Sequence, residues 1–165
     1  NRAIGIRQIR GLRGEVALRA GDYNAALGYF EQYVQLSRQA GSSGDVFAAL
    51  GGLARAYAYK GDHVRAREIA DSGIGSVNAA EVYQLTGDAD RAREYALKAY
   101  KFAWADGPPY VLWWRLERAK AVLDALGEPY PDLPPFDAAQ VGKFELQDEI
   151  EAYIEQKRAG RAAEE

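Results

Sequence analysis

Between Leu50 and Ala70 the apolar positions fall at helical intervals on either side of a single break. Leu50, Leu53, Ala54 and Tyr57 stand at i, i+3, i+4 and i+7 and line one face of a helix. Beyond Gly61-Asp62, Ala66 and Ala70 mark a narrow face of small residues, which suits a second helix lying close by. Glycine at the break can take the left-handed conformation that ends a helix. Aspartate accepts hydrogen bonds from the free N–H groups that start the next one. The stretch predicts two antiparallel helices joined by a tight turn. Neither buries its apolar face alone, so neighbouring copies must cover it.

Copies are present. Gly-Asp recurs at Gly21-Asp22, Gly61-Asp62 and Gly87-Asp88, each followed on the same face by Ala26, Ala66 or Ala92 and then Phe30, Ala70 or Ala96. Ala17, Tyr57 and Tyr83 stand four residues ahead of the glycines, and Gly14, Ala54 and Ala80 stand seven ahead. An incomplete fourth copy ends at Gly127 behind Leu116, Ala119 and Leu123. Successive glycines lie 40, 26 and 40 residues apart. Over Ile9 to Gly127 this resembles the tetratricopeptide repeat, a helix-turn-helix of about 34 residues. It departs from that pattern where the family often has tryptophan: Arg10, Leu50, Ser76 and Leu116 occupy those positions. The closing proline of the repeat is also missing. The resemblance implies an all-α protein, a right-handed α-solenoid of about three and a half repeats, followed by an extended segment and a capping helix.

The remaining pattern sets the expected elements. A first helix over 3–20 carries apolar Ile4, Ile9, Leu12 and Val16; Gly14 has a packing role, whereas Gly5 and Gly11 have no evident one. A second over 23–40 buries Tyr23, Leu27, Phe30, Val34 and Leu36. Asp45 is the expected N-cap of the next helix, and the glycines at 72–76 break the central pair from a third at 76–86 and 89–105. Asp106-Gly107-Pro108-Pro109 reads as a stop and a start, opening a helix from Tyr110 to Leu126. Within it Trp113 and Trp114 are adjacent, about 100° apart, so at least one is expected in the core. The chain divides into repeats at 1–127, a proline-rich segment at 128–144 and a terminal region at 145–165. Four prolines after Gly127 impose an extended path, fastened by Tyr130, Leu133 and Phe136. A last helix, Glu145 to Ala159, presents Leu146, Ile150, Tyr153 and Ile154 and is expected to cap the repeats.

Composition narrows the function. The chain has no cysteine, which excludes disulfides and thiolate metal sites, and no apolar run long enough for a bilayer. It also has no methionine, so a piece of a larger protein is expected, with further domains upstream. Abundant Ala, Arg and Gly suggests a bacterial coding sequence, and a cytoplasmic location is expected. Charge is uneven: residues 1–70 carry ten bases and six acids, and residues 124–165 four bases and eleven acids. The basic residues of the first helix are spread around it rather than focused, which argues against nucleic acid. The degenerate repeats, the DGPPY helix start and the LPPFD tail are similar to C-terminal repeat regions of large bacterial multidomain proteins, including signalling ATPases of the STAND type.

Reactive groups are few. His63 stands alone after a turn, where packing is the expected role; Glu151 and Glu155 are one turn apart with no third ligand; Gly73-Ile74-Gly75 lacks the rest of a phosphate loop. No cofactor or metal is expected. In the resembled family the first helices of successive pairs line a concave groove. Carried over through each turn glycine, the groove positions are Gln8, Glu15, Arg19, Arg55, Tyr59, Glu81, Gln84, Trp114 and Glu117. The expectation is a non-catalytic scaffold or sensor domain that binds a peptide or partner domain there, not nucleic acid or membrane. The alternative is a small-molecule-binding regulatory domain with an aromatic pocket near Trp113 and Trp114.

Overall fold

The computed structural model describes residues 2–105, 107, 110–134 and 146–162. The described residues form helices α1 (Arg2–Arg19), α2 (Tyr23–Gln39), α3 (Ser43–Lys60), α4 (His63–Asp71), α5 (Ser76–Leu85), α6 (Ala89–Trp104), α7 (Trp113–Leu126) and α8 (Gln147–Ala162), with no strand among them. Two units make up the chain, residues 1–134 and residues 135–165.

The Gly-Asp turns form as their chemistry dictates. Gly21, Gly61, Gly87 and Gly127 have φ of 77°, 90°, 83° and 69°, a region that costs a side chain-bearing residue energy. Asp22, Asp62 and Asp88 accept from the N–H groups of Ala25, Arg65 and Arg91 at 3.0, 3.3 and 3.2 Å, capping the second helix of each pair. Their own N–H groups reach back to the carbonyls of Ala17, Tyr57 and Tyr83 at 2.9 Å, closing the preceding helix. One dipeptide thus satisfies both helix ends.

Within the first unit α1 packs on α2, α3 on α4 and α5 on α6; α2, α4 and α6 also pack on α3, α5 and α7. The first helices touch in sequence, α1 to α3 to α5 to α7. Ala26, Ala66 and Ala92 are fully buried, as the spacing predicts, together with Ala54, Ala80 and Ala96. Gly11 has a role after all, since a Cβ there would sit 2.8 Å from Tyr33 Cε1; Gly14 and Gly52 form the two sides of a slot for Phe30. A Cβ at Gly52 would sit 2.3 Å from Phe30 Cε1.

Several expectations are corrected. Ser42, not Asp45, is the N-cap of α3; Asp45 lies in its first turn, where it accepts from Ser42 Oγ, Tyr33 Oη and Arg7 at 3.0–3.1 Å. On α2, Tyr33 and Ser37 are buried, while Tyr23 and Leu36 are half-buried. Helix α6 ends at Ala105, which takes φ 49° ahead of Gly107, and α7 begins at Trp113, three residues later than expected. Neither Trp113 nor Trp114 is in the core: they are 55% and 57% exposed, because Leu116, Ala119, Val122 and Leu123 already fill the inner face of α7. Ile9, Leu12 and Val16 of α1 are exposed as well. Residues 128–134 run without regular structure: Tyr130 stacks on Tyr100 at 5.8 Å, Leu133 packs against the core and Pro134 O accepts from Trp104 Nε1. Phe136 and the rest of the proline-rich segment lie outside the described residues.

In the second unit, Ile150, Tyr153 and Ile154 of α8 are exposed, as is Leu146 just ahead of it. The segment joining it to the first unit, residues 135–145, is outside the described residues.

Candidate binding hollow

The first helices are cross-linked by charge. Glu15, Arg55 and Glu81 each stand six residues before a turn glycine, on α1, α3 and α5. Arg55 Nη1 donates to Glu15 at 2.8 Å, and its Nε lies 3.0 Å from Glu81 Oε1, close in charge though off hydrogen-bond line. Arg118 of α7 donates to Glu81 and, at 3.0 Å, to Asn78. Tyr59 Oη donates to Glu81 at 3.0 Å. Signs therefore alternate along four helices: minus, plus, minus, plus.

Burial of Arg55 works against its charge, but the carboxylates of Glu81 and Glu15 outweigh it and hold the guanidinium above its ordinary value. Glu81 is the mirror case: burial pushes it up, and Arg55 and Arg118 bring it below the usual carboxylate range. The Tyr59 hydroxyl is pushed up to about 12, by burial first and then by the Glu81 carboxylate. Both charges of the pair stay ionised at neutral pH. The network is thus a fixed strut rather than a proton donor or acceptor.

Beside the strut is an open hollow of about 470 Å³. It reaches from Glu15 on α1, across α3 and the start of α5, to α6 and α7. Gly44, Ala48 and Gly75 make part of its wall without side-chain bulk, which keeps the space open; Gly52 is in the wall too, but its missing Cβ faces Phe30. Phe47, Phe102 and Trp114 project into solvent around it. The Arg115 guanidinium lies 5.5 Å from the Phe102 ring centre and 5.0 Å from that of Trp114. Its Nε is buried with no acceptor and has no carboxylate partner among the described residues. Stacking between rings orients that cation without neutralising it. Arg118 and Asn78 complete the wall at the foot of the strut.

Of the groove positions derived from the sequence, the structure brings Glu15, Arg55, Tyr59 and Glu81 together. Arg55 is a correction, for it is buried under two carboxylates instead of facing solvent. Trp114 and Glu15 border the hollow. Glu117 pairs with Lys120 on the same helix, and Gln8, Arg19, Gln84 and Glu117 are not part of the hollow's wall. Of the two adjacent tryptophans, Trp114 borders the hollow and Trp113 does not. Sequence reasoning missed Phe47, Phe102, Arg115 and Arg118. Arg118 had a findable signal, because it stands nine residues before Gly127, as Asn78 does before Gly87.

His63 is exposed on α4, away from the hollow's wall, and no cluster of three metal-ligating side chains occurs among the described residues. No helix is long and apolar enough to cross a membrane among the described residues. Comparison with protein-family models, with curated proteins and with solved structures gave no match.

Proposed function

We propose that residues 1–134 act as a right-handed α-solenoid of about three and a half tetratricopeptide-like repeats that binds a peptide, or a segment of a partner protein, in the hollow beside the charge strut. The domain works as a scaffold or sensor within a larger, multidomain bacterial protein in the cytoplasm, without catalysis of its own. One observation carries the reading: three exposed aromatic rings and an unneutralised Arg115 surround an open hollow with glycine in its wall. Aromatic rings offer contact area at low entropy cost, and arginine adds charge-assisted hydrogen bonds, the two properties that dominate protein recognition. An open space of mixed polarity favours an extended ligand over a small molecule, which needs an enclosed apolar cavity.

The test is to select peptides from a random library on the intact chain and measure their affinity by fluorescence anisotropy. Phe47→Ala and Trp114→Ala are expected to weaken the best binders by ~2 kcal/mol, about thirtyfold. Both side chains are exposed, so the fold should survive, which circular dichroism verifies. Affinity unchanged in both variants would place the site elsewhere.

A further inference from the structure

Counting back from the turn glycines compares one face across four helices. Val16, Ala56, Val82 and Val122 stand five residues before Gly21, Gly61, Gly87 and Gly127. Arg13, Leu53, Ala79 and Ala119 stand eight before, one turn along the same face. On α3, α5 and α7 these positions are buried: Ala56 and Val82 are 0% exposed and Val122 5%. What buries them is the preceding pair, since α2 packs on α3, α4 on α5 and α6 on α7. On α1 the same face is open. Val16 is 69% exposed, with Leu12 at 66% and Ile9 at 49% beside it. Among the helices of the first unit α1 touches only α2 and α3, which follow it. Single exposed aliphatic residues are ordinary, but three on one helical stripe, at positions that their counterparts bury, are not.

We propose that this face of α1 is the seat of an amphipathic helix with an apolar edge and acidic flanks. That helix stacks against α1 as α2 stacks against α3. Continuity with the three interfaces already built supplies the geometry. Charge supplies the chemistry of the flanks. Arg13 lies on the open stripe and Arg10 stands one turn from it, and neither has an ion-pair partner among the described residues. At the equivalent of Arg13 the covered helices carry leucine or alanine, so the occupant of α1 must meet a cation where α2, α4 and α6 meet none.

A second copy of this chain fits less well. Two α1 faces brought together would set their Arg10 and Arg13 side chains against one another. The seat is separate from the hollow, whose wall includes none of Ile9, Leu12, Arg13 and Val16.

The probe is a synthetic helical peptide of about 18 residues with a leucine edge and glutamate flanks, titrated onto the intact chain by anisotropy. A second peptide has the same edge and lysine flanks. The glutamate peptide is expected to bind at least about tenfold more tightly at low salt. Leu12→Glu with Val16→Glu should abolish that binding, and Arg13→Glu should reverse the preference between the peptides. These side chains are exposed, so the variants should keep the native circular dichroism. Equal binding of the two peptides, no binding of the glutamate peptide, or full binding by the Leu12/Val16 variant would overturn the proposal. So would a dimer in sedimentation that Val16→Glu dissociates, because the occupant would then be a second copy.

Discussion

At the α1/α2/α3 end, helices approach one another by pressing aromatic rings into glycines: Phe30 enters the slot between Gly14 and Gly52, and Tyr33 lies on Gly11. Within helices α4 to α7 no glycine is entered by a ring, and Ala66, Ala70, Ala79, Ala80, Ala92, Ala96 and Ala119 are buried in one cluster. Glycine admits the rings in the first core; in the second, alanines share the interior with Tyr83, Tyr100, Leu116 and Leu123. A ring in a slot is vulnerable to deletion. A seam of methyl groups is vulnerable to enlargement. The two cores share a common residue pair at their boundary, Tyr57 and Ile69, so damage on one side should be felt weakly on the other.

The largest expected effect is at the slot. Phe30→Ala empties it and should cost ~3–5 kcal/mol, measured by urea denaturation. A loss below ~1 kcal/mol would mean that the glycines collapse onto the gap, and the contrast between the cores would fail.

Next comes the strut that crosses both cores. Arg55→Ala removes one of the two guanidinium partners of Glu81, which keeps Arg118 and Tyr59, and should cost ~2–3 kcal/mol, less than leaving a buried charge with no partner. The pH dependence has a definite sign. The folded-state pKa of Glu81 is depressed by Arg55 and Arg118 against the pull of burial. Its contribution is therefore present above the ordinary glutamate range, ~4.3, and lost as pH falls through its lower folded value. Glu81→Gln should flatten that acid limb; an unchanged limb would assign it to other carboxylates.

The seam is probed by enlargement. Ala92→Leu should cost ~1–3 kcal/mol through overpacking, and Phe30→Leu less than Phe30→Ala. If Ala92→Leu leaves the denaturation midpoint unmoved, the α5/α6 contact is looser than its burial implies. The smallest effect has the opposite sign. Gly28 lies on α2 with open space, nothing within 4 Å, where an alanine methyl group would stand, so Gly28→Ala should stabilise by ~1 kcal/mol. By contrast, Gly52→Ala should destabilise, because its methyl would meet Phe30. Equal signs at the two glycines would remove the slot from the description.

The fold was legible because its signals are local. A Gly-Asp turn closes one helix and opens the next with atoms a few residues apart, and Ala66 or Ala92 follows at a fixed distance. The strut was half legible: Glu15, Arg55 and Glu81 were found by their common offset from the turns. What spacing cannot reveal is that the partner of Arg55 stands on another helix, 40 residues away at Glu15, so a polar residue on a first helix read as solvent-facing. Trp113 and Trp114 misled for a related reason. Their size suggested a core position, yet four aliphatic residues of the same helix had already filled it. The stripe on α1 has a helical period whether or not anything covers it.

The alternation of charge also says something about how such a chain can lengthen. Gly21 and Gly87 lie 66 residues apart (87 − 21), as do Gly61 and Gly127 (127 − 61). Helix length alternates too: α2 and α6 have 17 and 16 residues, whereas α4 has 9. Glu15 and Glu81 occupy the same place in this longer period. Inserting one copied pair would set glutamate beside glutamate or arginine beside arginine. Inserting two pairs keeps every sign matched. The building block that can be copied without conflict is a quartet of helices, and soluble expression of the two insertions would tell them apart.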